Sequence, residues 1–201
     1  MNTKEIENII NSLIETFVHS GNVSLKLRSK GLEKKIKSDN TPVTNGDIEV
    51  NNIVTSKISN LTPNIKIISE EVLLNKENNN LEDFWLIDPI DGTYDYIHGK
   101  DEFTINAALI LKKKPVAGII NAPAKNRLFY SFGYSNSFEI SSGLKKKLIC
   151  EKKSKINEVN AVAYSNNPKP EIVDIYKKYK ITNFTRMKSS LKFCVIAAGE
   201  F

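Results

Sequence analysis

Three stretches of this chain carry acidic side chains in arrangements that could do chemistry together. Asp88-Pro89-Ile90-Asp91-Gly92-Thr93 places two carboxylates three residues apart on a turn stiffened by Pro89. Ser69-Glu70-Glu71 follows the short apolar run 65–68, and Asp47 stands three residues after Thr44. Carboxylates that converge from separate segments are oxygen ligands for a hard cation such as magnesium, which keeps several waters of its own. Phosphate-ester hydrolysis needs charge neutralisation on the phosphate, an activated water and stabilisation of the leaving oxygen. Backbone N–H groups opened by Gly92 and Thr93 could meet phosphate oxygens. The acids and the turn therefore suit metal-assisted removal of a phosphate, with Asp47 and the Thr93 hydroxyl placed to orient a water.

Each piece alone has an ordinary explanation. An Asp three residues after a Thr caps a helix. Glu70 and Glu71 could be solvated acids, and Asp-Gly is a common turn. The functional reading rests on the three occurring together, with two of the acidic groups just past apolar strands.

The elements that must position these residues follow from periodicity. Ile6, Ile9, Ile10, Leu13, Ile14 and Phe17 recur every three or four residues and predict a helix that ends at Gly21. A polar, β-containing stretch leads to Thr41-Pro42-Val43, and Thr44 with Asp47 forms a capping box ahead of a second helix. Short apolar runs at 65–68, 84–87, 103–111, 116–120 and 128–132 predict strands, with a hairpin at Lys112-Lys113-Lys114-Pro115. A short helix is expected from Gly92 and Thr93 through Ile97. The Ser-, Gly- and Lys-rich region 135–155 is the expected boundary between two subdomains. Beyond it come a strand at 162–165, a helix at 171–179 and another helix from Ser189. The expected class is α+β, a layered sandwich.

Composition narrows the field. The 201 residues are 40% hydrophobic, enough for a packed core. No apolar run reaches the ~18 residues of a membrane span, and the N-terminus reads as an amphipathic helix rather than a secretory leader. Cys150 and Cys194 sit among apolar neighbours and are expected to be small core residues, which suits the cytoplasm. A peripheral place at the inner membrane face is the alternative compartment. A net charge of +6 suits a phosphate-bearing small molecule, but the lysines are scattered in solvated clusters. No basic stripe interleaved with aromatics marks a nucleic-acid surface. His19 is expected at a helix end and His98 in a loop.

The motif 88–93 resembles the signature of the magnesium-dependent, lithium-sensitive inositol monophosphatase superfamily. Ser69-Glu70-Glu71 and Pro42-Val43-Thr44-Asn45-Gly46-Asp47 match its other N-terminal motifs in order. Within it, Ser38-Asp39-Asn40-Thr41-Pro42-Val43-Thr44, Glu102-Phe103-Thr104-Ile105-Asn106 and Ser189-Ser190-Leu191-Lys192-Phe193-Cys194 are similar to the bacterial 3'(2'),5'-bisphosphate nucleotidase branch. The resemblance implies an αβαβα sandwich with its second half incomplete. It implies a metal- and phosphate-binding subdomain over 1–135 and a partial substrate subdomain over 136–201. It further implies that Glu70, Asp88 and the Ile90 carbonyl hold one Mg2+, and that Asp88 bridges to a second held by Asp91. Asp47 and Thr93 would activate the water, Gly92 and Thr93 N–H groups would bind phosphate, and Ser189 and Ser190 would line the substrate. The implied reaction removes the 3'-phosphate of adenosine 3',5'-bisphosphate. An inositol or sugar phosphate is the alternative substrate, and a non-catalytic phosphatase remnant the alternative of another class.

Two departures stand against the family pattern. A further Asp, directly after a Trp, is expected beyond the Ser189–Cys194 segment. The only Trp here is Trp85, and the only Asp after Asp101 is Asp174. Its absence would weaken the second magnesium site by about ten- to a thousandfold, leaving activity low or absent. Lys188 takes the place of a glycine beside the substrate. The apolar residues Leu191, Phe193, Val195 and Ile196 are expected to need cover from something outside this segment.

Overall fold

The computed structural model describes residues 1–71, 81–149 and 159–201. Cys150 lies outside them.

Two helices start the chain. Helix α1 spans Thr3–Lys30, opened by a capping box between Asn2 and Glu5, and buries Ile6, Ile10, Leu13 and Phe17. It does not stop at Gly21 as expected. A Cβ at Gly21 would stand 2.4 Å from Asn121 Nδ2 and 2.8 Å from Pro123 Cβ. This glycine lets the helix press against the sheet; it does not end the helix, and His19 accordingly lies inside α1. A hairpin of β1 (Lys34–Ile36) and β2 (Pro42–Thr44) follows. Helix α2 (Asn45–Leu61) then begins with the expected capping box, in which Thr44 and Asp47 bond each other's backbone N–H.

Seven strands form one sheet in chain order: β3 (Lys66–Ser69), β4 (Phe84–Asp91), β5 (Thr104–Leu111), β6 (Lys114–Ala122), β7 (Arg127–Phe132), β8 (Ser137–Ser141) and β9 (Leu144–Lys147). Five were legible as apolar runs. β8 and β9 were not, because β9 is entirely exposed and β8 mostly half-buried. They run through the region expected as a boundary, hydrogen-bonded to the strands before it. The hairpin between β5 and β6 turns at Lys112 and Lys113, both with positive φ. β3 pairs with β4 in parallel, while every other neighbour in this sheet is antiparallel.

α1 and α2 cover one face of the sheet around Trp85, Ile87, Ile105, Leu109 and Ile119. Trp85 Nε1 donates to Thr62 Oγ1 at 3.1 Å, so the buried indole is satisfied. Beyond the sheet, β10 (Val159–Ala163) and β11 (Ile181–Arg186) form a parallel pair linked through α4 (Pro170–Lys178). The short α5 (Leu191–Ala197) begins two residues later than expected. It buries Leu191, Cys194 and Val195 with Ala122 and Phe129, making a second, smaller core. Phe193 and Ile196 remain exposed on its outer side. Cys194 is a buried free thiol, as expected, and burial pushes its pKa up to about 12.

Candidate active site

The parallel pairing of β3 and β4 decides where the acids meet. Parallel strands finish at the same end of a sheet, so the residues just past both emerge side by side. Ser69 pairs with Ile87, and the Glu70 N–H donates to the Ile87 carbonyl at 3.1 Å. Glu70 and Asp88 therefore leave the sheet together. On the other side of β4, Asp88 pairs with Asn106 and Asp91 with Thr104, with a register irregularity between them. Pro89 and Ile90 lie in that irregularity, and the Ile90 carbonyl accepts from Thr93 Oγ1 at 3.1 Å. Gly92 turns the chain at φ 95° into α3 (Thr93–Ile97), where a Cβ would meet the Glu102 carbonyl at 2.9 Å. Only glycine suits that turn.

Asp47 reaches the same place from α2. Its Oδ2 accepts from the Thr44 N–H and hydroxyl at 2.8 and 2.5 Å, and its Oδ1 faces Thr93 Oγ1 at 3.5 Å. Burial raises the Asp47 pKa against the opposing effect of the Thr44 hydrogen bonds. Ser69 Oγ donates to Asn51 Oδ1 at 2.6 Å, which ties the end of β3 to α2 and keeps Glu70 in register with Asp47.

Asp88 sits at the centre. Its Oδ1 is buried and has no hydrogen-bond partner among the described residues. Burial, then the charges of Asp91 and Glu70, push its pKa up to about 8. An orphaned carboxylate oxygen among like charges is costly in a dry site, and a hard cation removes that cost. The donor set of Glu70, Asp88, Asp91 and the Ile90 carbonyl, all oxygen, fits magnesium. Among the described residues no three acidic, His or Cys side chains form a closed metal cage.

One protein cation already stands here. Lys37 Nζ, from the segment after β1, lies 3.1 Å from Glu70 Oε1 and 2.8 Å from Glu71 Oε1. Its own burial lowers its pKa, but the hydrogen bonds to Glu71 and Glu70 outweigh this and the net shift is upward. The sequence reading missed Lys37, because one lysine among many in a polar hairpin carries no local signal.

The second part of the chain reaches the cluster through Ser190. The Ser190 N–H donates to Asp91 Oδ2 at 2.5 Å. Ser190 Oγ lies 2.7 Å from Thr104 Oγ1 and 2.8 Å from Asn106 Oδ1. Asp47, Glu70, Asp88, Asp91, Gly92 and Thr93 are thus brought together with Ser190. Ser189 is buried, and its Oγ accepts from the Leu191 N–H at the start of α5. Thr104 and Asn106 meet Ser190 only through pairing between segments more than 80 residues apart.

The inositol monophosphatase family profile matches residues 5–201. The chain is 35% identical over 186 residues to the 3'(2'),5'-bisphosphate nucleotidase CysQ of Buchnera aphidicola, covering 90% of this chain and 68% of that protein. It is 33% identical over 144 residues to the protein of that name in Haemophilus influenzae, covering 71% of this chain and 54% of the relative. It is 30% identical over 176 residues to the one in Escherichia coli K12, covering 86% and 69%. Among solved structures, CysQ from Bacteroides thetaiotaomicron superposes with a TM-score of 0.72 at 24% identity, covering 96% of this chain and 77% of that one. The staphylococcal inositol monophosphatase-1 gives 0.78 at 17% identity, covering 100% and 74%. These two establish the shared fold. Profile, relatives and fold agree, and the chain belongs to the inositol monophosphatase family.

Proposed function

We propose that this chain is a magnesium-dependent phosphatase that converts adenosine 3',5'-bisphosphate to AMP and phosphate. The orphaned Asp88 oxygen among Glu70, Asp91 and Asp47 carries the reading, because it is a buried anionic donor that needs a cation. The choice of substrate is supported by the bisphosphate nucleotidases that the chain resembles at 30–35% identity.

In this reading Glu70, Asp88, Asp91 and the Ile90 carbonyl would hold the magnesium. When bound, magnesium supplies positive charge to the phosphate oxygens and lowers the pKa of a water. The chain's own residues do the rest. The Thr93 hydroxyl lies 3.1 Å from the Ile90 carbonyl and 3.5 Å from Asp47 Oδ1, so a small rotation can turn it from the first to the second. A proton from the attacking water then passes through Thr93 Oγ1 to Asp47, whose burial makes it a stronger base than an exposed aspartate. The N–H groups of Gly92 and Thr93 take phosphate oxygens. Ser190 keeps Asp91 oriented through its N–H, and Ser189 supports that turn. The division into a metal- and phosphate-binding part (1–135) and a substrate part (136–201) belongs to the same proposal, with Ser190 meeting the carboxylates through Asp91.

The test is phosphate release from adenosine 3',5'-bisphosphate by the folded 201-residue chain, with magnesium and with a chelator. Inositol 1-phosphate and Asp88→Asn run alongside. The expected result is magnesium-dependent release that Asp88→Asn lowers by about a hundredfold or more. Preference for inositol 1-phosphate would keep the chemistry and overturn the substrate. No release from any ester by a folded chain would mark a non-catalytic member of the family.

A further inference from the structure

The segment between β11 and α5 is fastened on both sides of one strained residue. Ser189 is buried and takes φ 51°, in the left-handed region that a residue with a Cβ keeps only where its neighbours hold it. After it, the Ser190 N–H donates to Asp91 Oδ2, and Ser190 Oγ meets Thr104 and Asn106. Before it stands Lys188, the residue that departs from the glycine of the family pattern. Its N–H donates to Glu102 Oε2 at 3.1 Å, and its Nζ lies 3.2 Å from Asp95 Oδ1.

Those two partners sit on different segments. Asp95 lies on α3 with its side chain 2% exposed, and Glu102 precedes β5. Both flank the Gly92 turn, which caps α3 and packs so closely on the Glu102 carbonyl that a Cβ would stand 2.9 Å from it. Lys188 thus bridges the two segments that enclose the turn after Asp91, from 86 and 93 residues away in sequence.

The charges in this network balance. Asp95, Asp101 and Glu102 stand among Lys100, Lys188 and Arg28, with Lys100 Nζ 3.5 Å from Asp95 Oδ1 and Arg28 3.6 Å from Asp101. Such a set holds segments together and has no excess to offer an anion. The two lysines on Asp95 differ in what they join. The Lys100 side chain is half exposed and reaches back along its own stretch of chain. The Lys188 side chain is mostly buried and ties the approach to α5 down onto α3.

We propose that Lys188 is a positioning residue for the metal site: by pinning its segment to α3 it keeps the Ser190 N–H on Asp91, and so fixes that carboxylate. This rests on the magnesium phosphatase reading above. Charge and position make opposite demands here. An ammonium near a cation repels it, so loss of the charge alone tightens magnesium binding. Loss of the pin lets Asp91 turn and weakens binding, since outer partners of metal ligands contribute about ten- to a hundredfold in affinity.

Magnesium affinity is measured by calorimetry, and amide exchange by NMR in the chelated protein, for the wild type, Lys188→Met, Lys188→Arg and Lys100→Met. Lys188→Met is expected to bind magnesium about tenfold more weakly and to exchange the Ser190 N–H about tenfold faster, with β5 and β6 unchanged. Lys188→Arg should stay near the wild type in both. Lys100→Met takes the same charge from the same carboxylate without cutting the bridge, and should bind magnesium as tightly as the wild type or more so. Unchanged or tighter binding in Lys188→Met, or an equal loss in Lys100→Met, overturns the positioning role. So does exchange that rises alike at Ser190 and throughout β5 and β6, which marks a general loss of stability. No magnesium binding by the folded wild type removes the phosphatase reading and this proposal together, whereas binding indifferent to Lys188 removes this proposal alone.

Discussion

Asp88 carries a charge that its surroundings oppose. In the metal-free protein its pKa is pushed up to about 8 from 3.8, by burial first and by Asp91 and Glu70 next. Between those values the folded chain holds a proton that the unfolded chain has released. Stability from this group is therefore full below about pH 4 and falls as pH rises toward 8. Thermal unfolding of the chelated protein should show a lower melting temperature at pH 8 than at pH 5, and Asp88→Asn should flatten that slope. Magnesium should raise the melting temperature at pH 8 in the wild type and much less in the variant. A slope that survives Asp88→Asn would assign the effect to another group. The identity of this residue was legible, since two acids three apart around Pro-Ile are visible in the chain itself. That its Oδ1 is unpaired among the described residues was not, because that depends on burial by elements far away.

Helix α1 shows how an element can be recognised and its length misread. Its apolar stripe was plain, but Gly21 signals a stop only when the helix has nothing to lie against. Here Asn121 Nδ2 donates to the Phe17 carbonyl at 2.7 Å, directly beside Gly21. Gly21→Ala gains about 1 kcal/mol of helix propensity. It must also displace Asn121 and the Pro123 ring, with a buried hydrogen bond at stake, and overpacking costs about 1–3 kcal/mol. A net loss of about 1–2 kcal/mol is expected by urea denaturation, and a gain would mean that α1 slides freely on the sheet. The strands β8, β9 and β11 escaped notice for a related reason. β9 and β11 are largely exposed, and β8 is a five-residue, mostly half-buried stretch within a Ser-, Gly- and Lys-rich region, so their neighbours' hydrogen bonds are what define them.

At the scale of the whole molecule, Arg127 joins the large sheet to the end of the chain. Its guanidinium bonds Glu139 at 2.5 Å and pairs with Glu200 through both terminal nitrogens. Those bonds raise the Arg127 pKa despite its burial. Arg127→Met leaves the nearly buried Glu139 without its partner and frees Glu200. The cost should be about 1–3 kcal/mol, below that of a fully buried pair because Arg127 is partly exposed. The loosening should centre on α5, which packs Cys194 against Phe129. Peptide-resolved thiol labelling should find Cys194 slow in the native chain and clearly faster in Arg127→Met. Equal rates would show that α5 is held by its apolar contacts alone. Among the described residues no helix is long and apolar enough to cross a membrane.

By itself the sequence determined the acids, their order along the chain, the helix cap that holds Asp47 and most of the core strands. These are local properties, set by side-chain type, spacing and backbone chemistry within a few residues. The tertiary structure alone decided that β3 and β4 run in parallel, which brings Glu70 beside Asp88. It also decided that Lys37 reaches Glu70 and Glu71, that Ser190 holds Asp91, and that two lysines share Asp95. Each of these joins segments distant in sequence, and electrostatic and hydrogen-bond partners at that separation are set by packing rather than by any local pattern.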